Sequence, residues 1–344
     1  MLFDSDIQKF TFTVESFERS TDALSGTFYK LVTVPRFMFI RYELRQNTSF
    51  YARKCYDALF ELFKTNFVGT EDSNMLFTGV PGIGKSMFSL YLLIRLLLDD
   101  SCPRNGILFE YERGKYNKVT LIEKPEQDLD SISQSTTFKF KLQLEEIDNT
   151  RQIDETTSLI LSDIAAKSEP GARCRCNCIF SSPNPDRYKE IMKVSPKYTY
   201  TMPTWSYEEL RLVDGNVDNW MDHYLQAGGV PRTVFANKND YTAKTVQRAI
   251  YEEGWTVMKN LLRNELCDYV DTNFALIHIN PPFNADKGDY DYRHCRVFSF
   301  ASKYVLMALD QKYHDSFVSK VEMALDPKYH DRFVTNLFTT GLAK

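Results

Sequence analysis

Gly79-Val80-Pro81-Gly82-Ile83-Gly84-Lys85-Ser86 follows the apolar run Met75-Leu76-Phe77-Thr78 and leads into Met87-Phe88-Ser89-Leu90-Tyr91-Leu92. The octet matches the spacing G-x-x-x-x-G-K-[ST], the P-loop, with an apolar strand entering and an apolar helix, Lys85 to Leu98, leaving. Glycines let the chain pass close to an anion, and main-chain N–H groups at a helix start favour negative charge there. The expected ligand is ATP with Mg²⁺. Main-chain groups of Gly79, Gly82, Ile83, Gly84, Lys85, Ser86 and Met87 would cradle the phosphates. Lys85 would reach the β- and γ-phosphates, and the Ser86 hydroxyl would ligate the metal.

Short apolar runs alternate with helical stretches on either side of this loop, which predicts an α/β fold with a parallel sheet flanked by helices. The expected strands are Met75–Thr78, Ile107–Tyr111, Ser158–Ser162, Asn177–Ser181 and Tyr198–Met202. Lys118–Leu144 reads as an inserted β excursion. Asp163 ends the run Ser158-Leu159-Ile160-Leu161-Ser162, expected to lie beside the P-loop strand, and is the candidate second metal ligand. Ile164, not Glu, follows it, so no water-orienting carboxylate sits there. Glu169 is a substitute within reach, and Asp154-Glu155, with no apolar strand before it, is a poorer candidate. Ser206 followed by Glu209 forms a capping box for a helix through Leu210. Further helices are expected over Val217–Gln226 and Thr242–Leu262, and a strand-like pair at Phe274–Ile279 and Cys295–Phe300. The chain then divides into an N-terminal α+β region (1–68), the core (69–203), a helical lid (204–262) and a small α+β C-terminal region (263–344).

The 344 residues carry a formal net charge of −4 and 26% charged side chains, which excludes a strongly basic nucleic-acid wrapper. Arg173, Arg175, Lys193 and Lys197 form a modest basic cluster that reads as a solvated face rather than a DNA site. No apolar run reaches the roughly 20 residues a bilayer requires, so no membrane partner is expected. Residues 1–6 lack a signal-peptide pattern, and seven cysteines show no disulfide framework, which predicts an intracellular compartment. Cys174-Arg175-Cys176-Asn177-Cys178 has period-two spacing. That places its thiols on one strand face rather than around zinc. The unit Ala308–Val318 recurs as Ala324–Val334, two copies where a solenoid wants at least three.

Several stretches resemble the P-loop domain of Crinkler effectors of oomycetes and chytrid fungi, and of the retrotransposon hot spot proteins of trypanosomes. They are Ser73–Leu98, Phe50-Tyr51-Ala52-Arg53-Lys54-Cys55-Tyr56, Phe180-Ser181-Ser182-Pro183-Asn184-Pro185-Asp186-Arg187-Tyr188, Met202-Pro203-Thr204-Trp205-Ser206-Tyr207-Glu208-Glu209-Leu210 and Ala227-Gly228-Gly229-Val230-Pro231-Arg232. The resemblance covers about residues 50 to 235 and implies an AAA+/STAND-like ATPase core with a helical lid. It implies that Ser182 and Asn184 read the γ-phosphate, and that Gly229, Pro231 and Arg232 bring the lid onto the nucleotide, with Arg232 as a charge sensor. A strand-exit turn is the alternative for Ser181–Asn184, and a helix C-cap followed by Pro explains Gly228–Pro231 without a nucleotide. Secretion into a host cell, a host nuclear protein as partner and assembly into an oligomer are expectations from the resemblance alone. Residues 1–49 show no ubiquitin-like header, and no nuclease core is visible before Lys344. ATP hydrolysis and a nucleotide-gated interaction module with little turnover both stay open.

Overall fold

The computed structural model describes residues 8–21, 24–34, 48–69, 73–100, 106–112, 115–131, 133–147, 159–162, 176–184, 197–213, 219–236, 241–262, 273–293 and 297–324. Its centre is β4 (Ser73–Thr78), whose residues are all buried. Parallel partners flank it on both sides: β10 (Cys176–Phe180), with Phe180 opposite Phe77, and β11 (Lys197–Thr201), with Thr201 opposite Thr78. Beyond β10 come β9 (Leu159–Ser162) and then β5 (Ile107–Glu112), also parallel. The order across this half is β11-β4-β10-β9-β5.

The parallel sheet expected from the sequence is only part of what forms. From β5 onward every pairing is antiparallel. β6 (Lys115–Leu121) joins β5, β8 (Ser135–Ile147) joins β6, and β7 (Glu126–Asp130) pairs with β8. β8 then pairs with β1 (Gln8–Thr21), followed by β2 (Leu24–Thr33) and β3 (Thr48–Tyr51). The result is one mixed sheet of eleven strands. The β excursion and the N-terminal strands are therefore continuous with the sheet that carries the loop. Strands joined by crossovers show no pairing in their own sequence, whereas hairpin partners close antiparallel.

The sheet packs on α1 (Lys54–Gly69) and α2 (Lys85–Leu98). Phe88 of α2 sits edge-on to Phe77 and Phe180, while Tyr91 meets Tyr29 of β2 edge-on. Strand residues thus approach α2 from both halves of the sheet, and this helix buries Phe88, Leu90, Leu92, Leu93, Ile94, Leu96 and Leu97 together. A helix enclosed on several sides needs apolar residues all round, which is how its sequence reads. Arg95, in its last turn, lies over the Phe60 ring and pairs with Asp57.

The remaining helices are α3 (Tyr207–Val213), α4 (Trp220–Ala227), the single turn α5 (Pro231–Val234), α6 (Tyr241–Leu262) and α7 (Lys303–Ala324). α4, α6 and α7 share a second core with the antiparallel pair β12 (Ile277–Asn280) and β15 (Val297–Phe300), through Val246, Ile250, Ile277, Val305 and Leu309. A small hairpin, β13 (Phe283–Asn284) and β14 (Asp289–Tyr290), leads back to the main sheet, where Thr201 N donates to Tyr292 O at 3.1 Å. The first copy of the sequence repeat falls in α7, and the second, after its opening Ala324, lies outside the described residues. Among the described residues no helix is long and apolar enough to cross a membrane.

Candidate phosphate-binding site

The loop leaves the carboxyl end of β4 and enters α2 through Gly84, which serves as N-cap at φ 100° with no side chain capping the helix. Gly79 and Gly82 also lie at positive φ, 148° and 90°. At Gly82 a side chain meets two obstacles, the backbone conformation and space: a Cβ there would lie 2.8 Å from Cβ of Arg232. Val230 and Arg232 thus lie directly against the loop at Gly82. Arg232 itself is exposed.

Lys85 is 8% exposed and turns its ammonium into the loop, donating to Gly79 O at 2.8 Å and Val80 O at 2.9 Å. Ser86 and Met87 are half-buried in the first turn of α2. An uncapped helix start, glycines in left-handed conformations and a buried lysine inside the loop are donors suited to an anion. These residues fit a polyphosphate.

β10 ends beside β4, where Ser181 N donates to Phe77 O at 3.1 Å. Ser182 is half-buried and Asn184 exposed. The hydroxyls of Thr78 and Ser181, at the ends of neighbouring strands, are buried with no hydrogen-bond partner among the described residues. The strand leading to Asp163 is not adjacent to β4, contrary to the expectation from sequence: β10 lies between them. Asp163, Ile164, Glu169, Asp154 and Glu155 lie outside the described residues, as do Cys174, Arg173, Arg175 and Lys193. At the end of β9, Ser162 donates to the buried Glu110 of β5. Cys176 and Cys178 share one buried face as their spacing implies, their sulfurs 3.9 Å apart.

Three segments far apart in sequence converge behind the loop. Arg53, 1% exposed, places Nε and Nη2 on the two carboxylate oxygens of Glu209, each at 2.9 Å. Its Nη1 donates to Pro203 O at 2.9 Å and Nη2 to Thr204 O at 3.0 Å, while its guanidinium lies 5.0 Å from the Trp205 ring centroid. Glu209 also accepts from Ser206 N, and Ser206 Oγ accepts from Glu209 N, the reciprocal capping box expected from the sequence. Trp205 N donates to Gly229 O at 2.8 Å, and Trp205 Nε1 donates to Ile83 O of the loop at 2.8 Å. Tyr56 Oη donates to Gly84 O at 2.8 Å. Burial pushes the neighbouring Cys55 thiol up to about 12 against the pull of Arg53, which keeps it neutral.

In the sequence Arg53, Tyr56 and Trp205 stand only within the segments that carry the resemblance, with no local pattern to mark a role. The one local signal was the Ser206/Glu209 box. Comparison with protein-family models, curated proteins and solved structures gave no match to this chain.

Proposed function

We propose that the chain is a P-loop NTPase of AAA+/STAND type that binds ATP with Mg²⁺ on residues 79–86 and hydrolyses it as the segment 205–232 moves. The observation that carries this reading is the packing of Val230 and Arg232 against Gly82, which would tie a lid to the loop that holds the anion. The strand order supports it. After β4 the chain visits β5, β9 and β10, working back toward β4, and then crosses it to reach β11. Open α/β sheets take ligands outside the carboxyl ends of their strands where the order reverses in this way.

In this reading Lys85 exchanges its two carbonyl partners for phosphate oxygens, and the loop amides hold the rest of the anion. Ser86 and Asp163 hold the cation, which when bound neutralises charge on the phosphates. Ser182 and Asn184, just past the end of β10, would contact the terminal phosphate, and Arg232 would swing its exposed guanidinium onto it. The similarity to Crinkler and retrotransposon hot spot modules supports a role as an effector or regulator, with a host nuclear protein as its partner.

Ile164 after Asp163 favours a second reading, a nucleotide-gated interaction module with little hydrolysis. A phosphate-release assay on wild type and Lys85→Ala separates the two. Turnover abolished by the substitution supports the first. Nucleotide-dependent thermal stabilisation without release supports the second, and neither signal in wild type contradicts both.

A further inference from the structure

Two side chains donate to successive carbonyls of the loop from outside it. Trp205 Nε1 holds Ile83 O at 2.8 Å, and Tyr56 Oη holds Gly84 O at 2.8 Å. A trans peptide is planar, with C=O and the following N–H pointing in opposite directions. Fixing the Ile83 carbonyl toward Trp205 therefore aims the Gly84 N–H away from it. Fixing the Gly84 carbonyl, which also accepts from Phe88 N at 2.9 Å, aims the Lys85 N–H out past the start of α2. Both donors are held in turn. Trp205 is pinned by its own N–H on Gly229 O and lies against the guanidinium of Arg53. Tyr56 is 1% exposed and packs on Phe88 and Tyr91.

We infer that Trp205 and Tyr56 are positioning residues that lock two consecutive peptide planes of the loop, so that the amides of Gly84 and Lys85 are already turned toward a phosphate before it arrives. The inference rests on the phosphate-site reading and adds to it how the loop is set. A nest of amides gains affinity when its donors need no reorientation on binding. It also links lid and loop: Trp205 joins Gly229 on one side and Ile83 on the other, so a lid displacement that moves the indole frees the Ile83–Gly84 peptide to turn. Burial keeps the Tyr56 phenol above its ordinary value, so it remains a donor at working pH.

The test uses the full chain and inorganic pyrophosphate, ADP and ATP as probes, titrated into wild type, Trp205→Phe, Tyr56→Phe and Lys85→Ala. Each Phe variant keeps an aromatic ring and loses the donor. Weakening by roughly three- to tenfold, alike for all three probes because only the phosphate nest is affected, is the expected result. The melting temperature is expected to move by less than about 2 °C. Affinities equal to wild type in both Phe variants, with Lys85→Ala still deficient, overturn this inference and leave the site intact. A loss that follows a fall in melting temperature in both also overturns it, because the role is then structural. Wild type that binds none of the probes overturns the site itself.

Discussion

At the scale of single residues, Arg53 shows how little of its surroundings a sequence discloses. Its carboxylate partner lies 156 residues away, and nothing in the local pattern around Tyr51–Tyr56 marks it as a buried cation. Removing it strands Glu209 and the carbonyls of Pro203 and Thr204, so Arg53→Ala is expected to cost about 3–5 kcal/mol in denaturant unfolding. Arg53→Lys should recover little of this, because an ammonium cannot span both Glu209 oxygens and two carbonyls. His278 gives a pH signature. It is buried on β12, its Nε2 has no hydrogen-bond partner among the described residues, and burial lowers its pKa to about 4. With an unfolded value near 6.5, the unfolded chain binds more protons between these limits. Stability is therefore undiminished above about pH 6.5 and falls as pH drops toward 4, by at most ~1.4 kcal/mol per unit. Urea unfolding of wild type and His278→Gln at pH 7, 6 and 5 checks this (settings chosen to span the window); the variant should lose the slope due to this group.

Elements were legible where one physical signal dominated. α2 was readable over Lys85–Leu98 because a helix start with glycines and a lysine is followed by residues apolar on every face, and the five parallel strands were readable as short apolar runs. β7 was not, because Glu126-Gln127-Asp128-Leu129-Asp130 is exposed throughout and held by main-chain pairing to β8, which leaves no alternation to see. α5 is one turn set off by Pro231, too short for any period. The junction between Trp205 and Gly229 was visible only as two motifs, not as a contact. There a Cβ on Gly229 would collide with the Trp205 carbonyl. Gly229→Ala should therefore push the lid segment off the loop and weaken nucleotide binding about as much as Gly82→Ala, a cost of order 1–3 kcal/mol in each case, from crowding at Gly229 and from backbone strain at Gly82. Titration with ADP checks both variants.

For the whole molecule, the N-terminal strands and those of 115–147 join the sheet that carries the loop. Pairing partners of β1 and β8 run from Gln8 with Leu144 to Phe17 with Ser135, a long-range register that no local pattern encodes. The N-terminal strands also supply Phe12, Val14, Tyr29 and Leu31 to the core that surrounds α2. A variant lacking residues 1–51 should expose the edge of β8 and uncover that core. It is expected to be insoluble or to lose cooperative unfolding, whereas an autonomous core would keep a sharp transition by calorimetry.

The claim on which all of this turns is that residues 79–86 hold a triphosphate. Calorimetric titration of the intact chain with ATP and Mg²⁺, beside Lys85→Ala, tests it most directly. The account predicts saturable heat in wild type and a loss of affinity of ~100-fold when the ammonium is removed. Absence of heat at millimolar ATP, or equal affinity in the two proteins, would contradict it.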